Sequence, residues 1–214
     1  LFAKKQFNAI HIITAISSVA VGVVTAAMIC VLSVMNGFGV MIEELFSQFD
    51  PDLRITAKAG KSFIINKETK SQLLSIPSIN LVSESITETA LAYFEEKQMP
   101  VQLMGVDSVF GQLTGIENII TDGHYEVFDG AFDRAVLGQG LAWKLGIGVH
   151  FIHGIEVYAP KREGKVNMLR PDVNFNSERC FIAGTFAVNQ QKYDENLMLV
   201  DIDLARRLLD YDTT

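Results

Sequence analysis

The order of apolar and polar positions divides the chain into three stretches. Residues Ala9 to Met35 read AIHIITAISSVAVGVVTAAMICVLSVM, an apolar run broken only by His11 and a few hydroxyls. About 20 predominantly apolar residues cross a bilayer, so the run predicts a transmembrane helix over 8–35. Two other readings fit less well: a buried core helix seldom runs this far without a charge on some face, and the apolar region of a cleaved signal peptide is about 7–15 residues. Within the run Ser18, Gly22 and Ala26 recur every fourth residue, a spacing that lets helix backbones pack closely in lipid.

After the run, Phe38, Met41, Ile42, Leu45, Phe46 and Phe49 fall at i, i+3, i+4, i+7, i+8 and i+11, with Glu43, Glu44, Ser47 and Gln48 off the stripe. This predicts that the helix continues as an amphipathic stalk over 36–50 and ends at Asp50-Pro51, since proline disfavours the helical state of its predecessor. At about 1.5 Å per residue, the span and stalk together make a rod of about 60 Å, with Gly37 and Gly39 as candidate hinges. The alternative is a separate amphipathic helix joined through a flexible Asn36-Gly37 break.

Past Pro51 the pattern shortens. Leu53 to Ala57 and Ser62 to Ile65 read as strands, Lys67 to Leu74 as a helix, and Asn80 to Phe94 with Met99 to Val106 as a hairpin turning at Glu95 to Gln98. A loop-rich stretch covers Asp107 to Asp133. Val136-Leu137 leads into a helix over Leu141 to Leu145; Ile155 to Ala159, Phe181 to Val188 and Leu197 to Val200 read as strands. Asp203 is the expected N-cap of a last helix with Leu204, Leu208 and Leu209 inward. The fold class is α+β, an N-terminal transmembrane helix extended into a stalk ahead of a mixed outer domain large enough to bury a core.

Charge orients this arrangement. The chain has 214 residues, 49% hydrophobic, with a mean hydropathy of +0.23, and the apolar excess sits at the front: no Asp, Glu, Lys or Arg occurs from Gln6 to Ile42. Lys4 and Lys5 lie before the span and Glu43 and Glu44 after it, so residues 1–7 form a cytoplasmic flank and the body lies outside the cytoplasm. Removing those two lysines from the 18 basic residues leaves 16 against 25 acidic, a net of −9 for the outer part. Such a balance argues against nucleic acid as a partner. The local exception is Lys161, Arg162, Lys165, Arg170 and Arg179, clustered between two strands where a loop or irregular hairpin should project.

No catalytic constellation is present in the sequence. Gly60-Lys61-Ser62 resembles the end of a phosphate-binding loop, but the glycine needed five positions earlier is Ile55. Gly138-Gln139-Gly140 starts a dinucleotide fingerprint whose third glycine position is Trp143, so it reads as a turn opening a helix. His150 and His153 have no carboxylate or thiol at ligand spacing, so no metal and no cofactor is expected. Cys30 lies in the span and Cys180 beside a strand, which gives no disulfide. The chain reads as a transducer or binding module.

Lys4-Lys5, Asn8-Ala9-Ile10, the long span and Leu32-Ser33-Val34-Met35-Asn36-Gly37-Phe38 resemble the start of the permease subunits of lipoprotein-releasing ABC transporters, the LolC/LolE type. The likeness continues at Gly105-Val106-Asp107, Leu137-Gly138-Gln139-Gly140-Leu141-Ala142, Ile182-Ala183-Gly184-Thr185-Phe186 and Leu199-Val200-Asp201 through Leu209. One departure is Val149-His150, where family members often carry Gly-Asp. A wider superfamily, MacB/FtsX-like, includes macrolide-efflux pumps and the cell-division permease and shares the outer domain.

The resemblance implies the first half of a longer bacterial inner-membrane permease, with three further spans after a periplasmic domain. It implies an α/β part over 51–112 and 189–214 and a β-rich insertion over 113–188. The implied partners are a cytoplasmic ABC ATPase, a second permease subunit, a periplasmic lipoprotein carrier, and membrane lipid with acylated lipoproteins. In such permeases the segment before the strand at Ile182 to Phe186 can form a hook for the carrier. Here that is the projecting loop 160–178, with Arg162, Lys165, Met168, Leu169, Arg170 and Pro171 as the expected carrier-binding residues. Leu32, Met35, Phe38, Met41 and Ile42 are the expected lipid contacts, and Ser18, Gly22 and Ala26 the expected helix-packing face. The leading expectation is lipoprotein release without an ATPase site of its own; the alternatives are efflux, mechanical control of a cell-wall hydrolase, or a single-pass membrane-anchored binding domain.

Overall fold

A computed structural model describes residues 9–46, 51, 53–58, 60, 63–149, 152–162 and 174–211. They form two units, 1–46 and 47–214. The first is a single helix, α1 (Ala9–Phe46), of 38 residues. At about 1.5 Å per residue it is roughly 57 Å long. It runs through Asn36, Gly37 and Gly39 without interruption, against the alternative of a flexible break there. Phe49 and Asp50, the expected end of the stalk, lie outside the described residues. Thr14 and Thr25 donate their hydroxyls to the Ile10 and Val21 carbonyls, so neither hydroxyl lacks an acceptor in the apolar helix.

The second unit is built on one mixed seven-stranded sheet. After α2 (Lys67–Leu74) come β1 (Ser85–Phe94), β2 (Lys97–Val106), α3 (Phe110–Thr114), a 3-10 turn (Ile116–Ile119) and β3 (Ile120–Gly123). Then follow β4 (Arg134–Gly138), α4 (Gln139–Leu145), β5 (Ile155–Pro160), β6 (Phe175–Phe186), α5 (Gln191–Asp194), β7 (Leu197–Asp201) and α6 (Ile202–Leu208). The strand order is β3-β6-β4-β7-β2-β1-β5, and β5 also pairs with β6, so the pairings from β6 round to β5 close a ring. Among the described strands, only β2–β7 and β4–β6 are parallel. Strands from 51–112, 113–188 and 189–214 thus share one sheet.

Alternation sets the two faces of the sheet. Ala90, Ala92 and Phe94 of β1, Val101 and Leu103 of β2, Ala135 and Leu137 of β4, and Met198 and Val200 of β7 bury against α4 and α6. Val106, Phe110, Ile116, Val136, Phe186, Leu197 and Leu199 form a second cluster on the other side. Gly105 is buried in β2, where a Cβ would overlap that of Ala205 on α6; the missing side chain lets the helix sit directly on the strand. Leu204, Leu208 and Leu209 are buried as expected.

Several boundaries differ from the sequence reading. The last helix is capped by Asp201, whose carboxylate accepts the Asp203 N–H at 3.0 Å, and not by Asp203: Asp201 is the extended end of β7, the conformation an N-cap needs. β6 starts six residues before Phe181, and the stretch expected to be loop-rich contains α3 and β3. The described parts of 53–57 and 62–65 are not paired as strands. Their alternation is present, yet a strand also needs a neighbour for its N–H and C=O groups. Leu53, Ile55, Phe63 and Ile64 remain exposed and line a cleft of about 840 Å³ facing Met104 of β2 and Leu113 of α3.

α2 buries no residue, and its tie to the sheet is polar. Lys70 Nζ lies 3.0 Å from Glu84, and Glu84 is held in turn by Asp107. The Asp107 carboxylate accepts the Ser83 hydroxyl at 2.6 Å and the main-chain N–H groups of Glu84, Val109 and Phe110 at 3.0–3.2 Å. Asp107→Ala is expected to cost about 2 kcal/mol, because main-chain donors lose their acceptor. Residue-resolved hydrogen exchange should show faster exchange at Glu84 and Val109; wild-type protection at both would refute this role of Asp107.

Candidate functional site

The segment singled out by its charge joins two strands of a hairpin and reaches into both: Pro160 ends β5, and residues 175–178 of the expected loop, with Arg179, belong to β6. β5 and β6 pair antiparallel from Ile155↔Cys180 to Pro160↔Phe175, and Lys161 N–H continues the ladder to the Asn174 carbonyl at 2.9 Å. One face of this stem is core: Ile155, Val157, Ala159 and Cys180 are fully buried, and burial pushes the Cys180 thiol far up. On the other face the directly opposed Glu156 and Arg179 form an ion pair, and the Tyr158 hydroxyl donates to Glu156 at 2.7 Å. The Arg179 guanidinium, with that hydroxyl, holds the Glu156 carboxyl below its ordinary range. Tyr93 of β1 meets Tyr158 edge to face at 6.5 Å. β1 flanks β5, and the later half of β6 pairs with β3 and β4, so both strands of the stem are fixed in the sheet.

At the base of the loop, Arg162 is already engaged. Its guanidinium lies 3.7 Å from the centre of the Tyr211 ring, donates to the Tyr211 hydroxyl at 2.5 Å and stands 3.8 Å from Glu88 on β1. Of the expected carrier-binding residues it is the one within the described set; Lys165, Met168, Leu169, Arg170 and Pro171 lie outside it. Asn176 Nδ2 donates to the Leu208 carbonyl at 3.1 Å and to Asp210 at 2.7 Å. Sequence reading missed Glu88, Asn176, Asp210 and Tyr211. No local spacing joins them to Arg162, since Tyr211 is 49 positions away.

On α1 the expected lipid-contact residues Leu32, Met35, Phe38 and Met41 are all more than half exposed. Ile42 is on the same helix, its side chain outside the described set. Ser18, Gly22 and Ala26 are also exposed, and nothing lies within 4 Å of where a Gly22 Cβ would stand. At about 100° per residue the small-residue stripe is centred roughly half a turn round from the larger apolar residues. One side therefore offers close backbone approach and the other offers area. Among the described residues no group of three or more His, Cys, Asp or Glu could hold a metal ion.

Residues 14–210 match the family described as MacB-like periplasmic core domain. The chain belongs to that family. A MacB-like core domain is the outer domain of permeases in the wider MacB/FtsX-like superfamily, a level above the distinction between lipoprotein release, efflux and cell-division functions. With Ile10–Gly39 long and apolar enough to cross a membrane, the chain is a membrane-anchored protein whose folded domain lies outside the cytoplasm. Two solved structures are similar to part of it. The extracellular domain of the noncanonic ABC-type transporter YknZ from Gram-positive bacteria has 13% identity and a TM-score of 0.42, over 66% of this chain and 65% of that one. A domain of a candidate permease from Porphyromonas gingivalis has 19% identity and a TM-score of 0.41, over 65% of this chain and 58% of that one. The chain thus spans less than two thirds of either. No curated protein is similar enough to count as a relative.

Proposed function

We propose that this MacB-like core domain belongs to a permease subunit that moves acylated lipoproteins from the outer leaflet of a bacterial inner membrane to a periplasmic carrier. ATP is hydrolysed by a separate cytoplasmic subunit, and a second permease completes the complex. The observation that carries the reading is the β5–β6 stem: it is held in the sheet on both sides and presents a connection containing Lys165, Met168, Leu169, Arg170 and Pro171. Apolar residues flanked by positive charge suit a carrier that shields acyl chains. Acyl chains leaving the bilayer would contact Leu32, Met35, Phe38, Met41 and Ile42, each buried CH₂ recovering about 0.8 kcal/mol. Close packing through Ser18, Gly22 and Ala26 would join α1 to a neighbouring helix.

The family match is equally compatible with a second reading, in which the same ATP-driven permease exports a drug or peptide and no carrier meets the loop. Site-specific photocrosslinking from Met168 and Arg170 in the full-length protein separates the two. Crosslinks to a soluble periplasmic lipoprotein carrier are expected; recovery of only an outer-membrane channel or a cell-wall hydrolase would sink lipoprotein release.

A further inference from the structure

We propose that the end of α6 is a clamp that positions the β5–β6 loop, with Asp210 and Tyr211 as positioning residues gripping its two ends. Both ends are held from the same turn. On the β5 side, the Arg162 guanidinium stacks on the Tyr211 ring and donates to its hydroxyl, which itself donates to Glu88 at 3.2 Å; the Arg162 N–H reaches the Asp210 carboxylate at 3.4 Å. On the β6 side, Asn176 bridges the Leu208 carbonyl and the other Asp210 oxygen.

The backbone is shaped for this. Asp210 has φ 52°, in the left-handed region where a non-glycine residue carries strain and Asp is among the better tolerated. That turn leaves both of its carboxylate oxygens facing the loop base. Leu209 and Tyr211 keep main-chain bonds to Ala205 and Arg206 at 3.0 Å, so the turn remains an extension of α6. α6 in turn is seated on β2 through Leu204, Ala205 and Leu208, all fully buried. A displacement of the chain at Tyr211 is therefore passed to the loop base while the sheet stays in place. The use of the clamp in docking rests on the lipoprotein-release reading; its existence does not.

The test is residue-resolved hydrogen exchange on the full chain in detergent. Tyr211→Ala should raise exchange at the Lys161 and Arg162 amides about tenfold, and Arg162→Ala should raise it reciprocally at Tyr211. The β4–β7 ladder amides should stay unchanged, and Tyr211→Phe, which keeps the ring under the guanidinium, should recover most of the protection. Faster exchange confined to 209–211 in Tyr211→Ala, or an unmoved Tyr211 amide in Arg162→Ala, overturns the clamp. If Tyr211→Ala also loosens the ladder, Asn176→Ala decides by the same amides: Lys161 exchange that rises with the ladder intact supports the clamp, and unchanged exchange at Lys161 and Leu209 overturns it. The measurement needs no carrier, so a failed clamp leaves crosslinking from Met168 interpretable, and failed crosslinking leaves the clamp standing.

Discussion

Placing two arginines in the span, Val21→Arg with Val24→Arg, is expected to release this 214-residue chain from the membrane. The argument is one of magnitudes. The nine Ile and Val residues between Ile12 and Val31 contribute roughly −0.3 to −0.6 kcal/mol each, about −3 to −5 in all. One central arginine costs about 2.5–3.5 kcal/mol and would leave insertion weakened but measurable. Two cost about 5–7 kcal/mol, which exceeds the favourable sum. In a sucrose flotation gradient the wild type and the Val24→Arg single variant should rise with the membranes, the latter incompletely, while the double variant stays at the bottom. A double variant that floats as fully as the wild type would mean that α1 is not what holds the chain to the bilayer.

Gly105→Val is expected to cost the outer domain about 3 kcal/mol or more. β2 is a central strand, paired with β1 at Ile86 and with β7 at Val200 on either side of Gly105, so it cannot retreat. A Cβ there overlaps the Ala205 Cβ and stands 3.3 Å from the Ile202 Cα, so α6 would have to lift along a face where Leu204, Ala205 and Leu208 are fully buried. Urea unfolding followed by circular dichroism should show the midpoint falling sharply. Gly105→Ala should fall less, and adding Ala205→Gly should restore part of the loss, since residues in contact are not additive. If the paired change gives no recovery, the close approach of α6 is not the cause.

How much of this was legible beforehand depended on how local each determinant is. The helix over Lys67 to Leu74 and the hairpin turning after Phe94 follow from neighbouring residues, and the structure has both. The Gly138-Gln139-Gly140 turn was also readable, because β4 ends and α4 begins there; the packing of Gly138 against the Asp194 carbonyl, which excludes a side chain, was not. Leu53 to Ala57 departs from its strand pattern for a related reason. Alternation reports which side of a strand is apolar, and pairing depends on residues far away in sequence. In the loop region the basic cluster was visible as composition. Composition cannot tell a cation offered to a partner from one already spent internally: Arg162 and Arg179 are engaged by Tyr211, Glu88 and Glu156.

The sequence by itself determined the membrane helix, the acidic α+β body and a charged segment beside two strands. Each of these is written in the periodicity or composition of adjacent residues, which physical chemistry reads without knowing the fold. Only the tertiary structure decided that β5 and β6 close the sheet into a ring and that the turn after α6 grips both ends of the loop between them. Those contacts join positions that are not neighbours in the chain, as with Glu88 and Tyr211 at a separation of 123, and no local pattern encodes which distant side chains will meet.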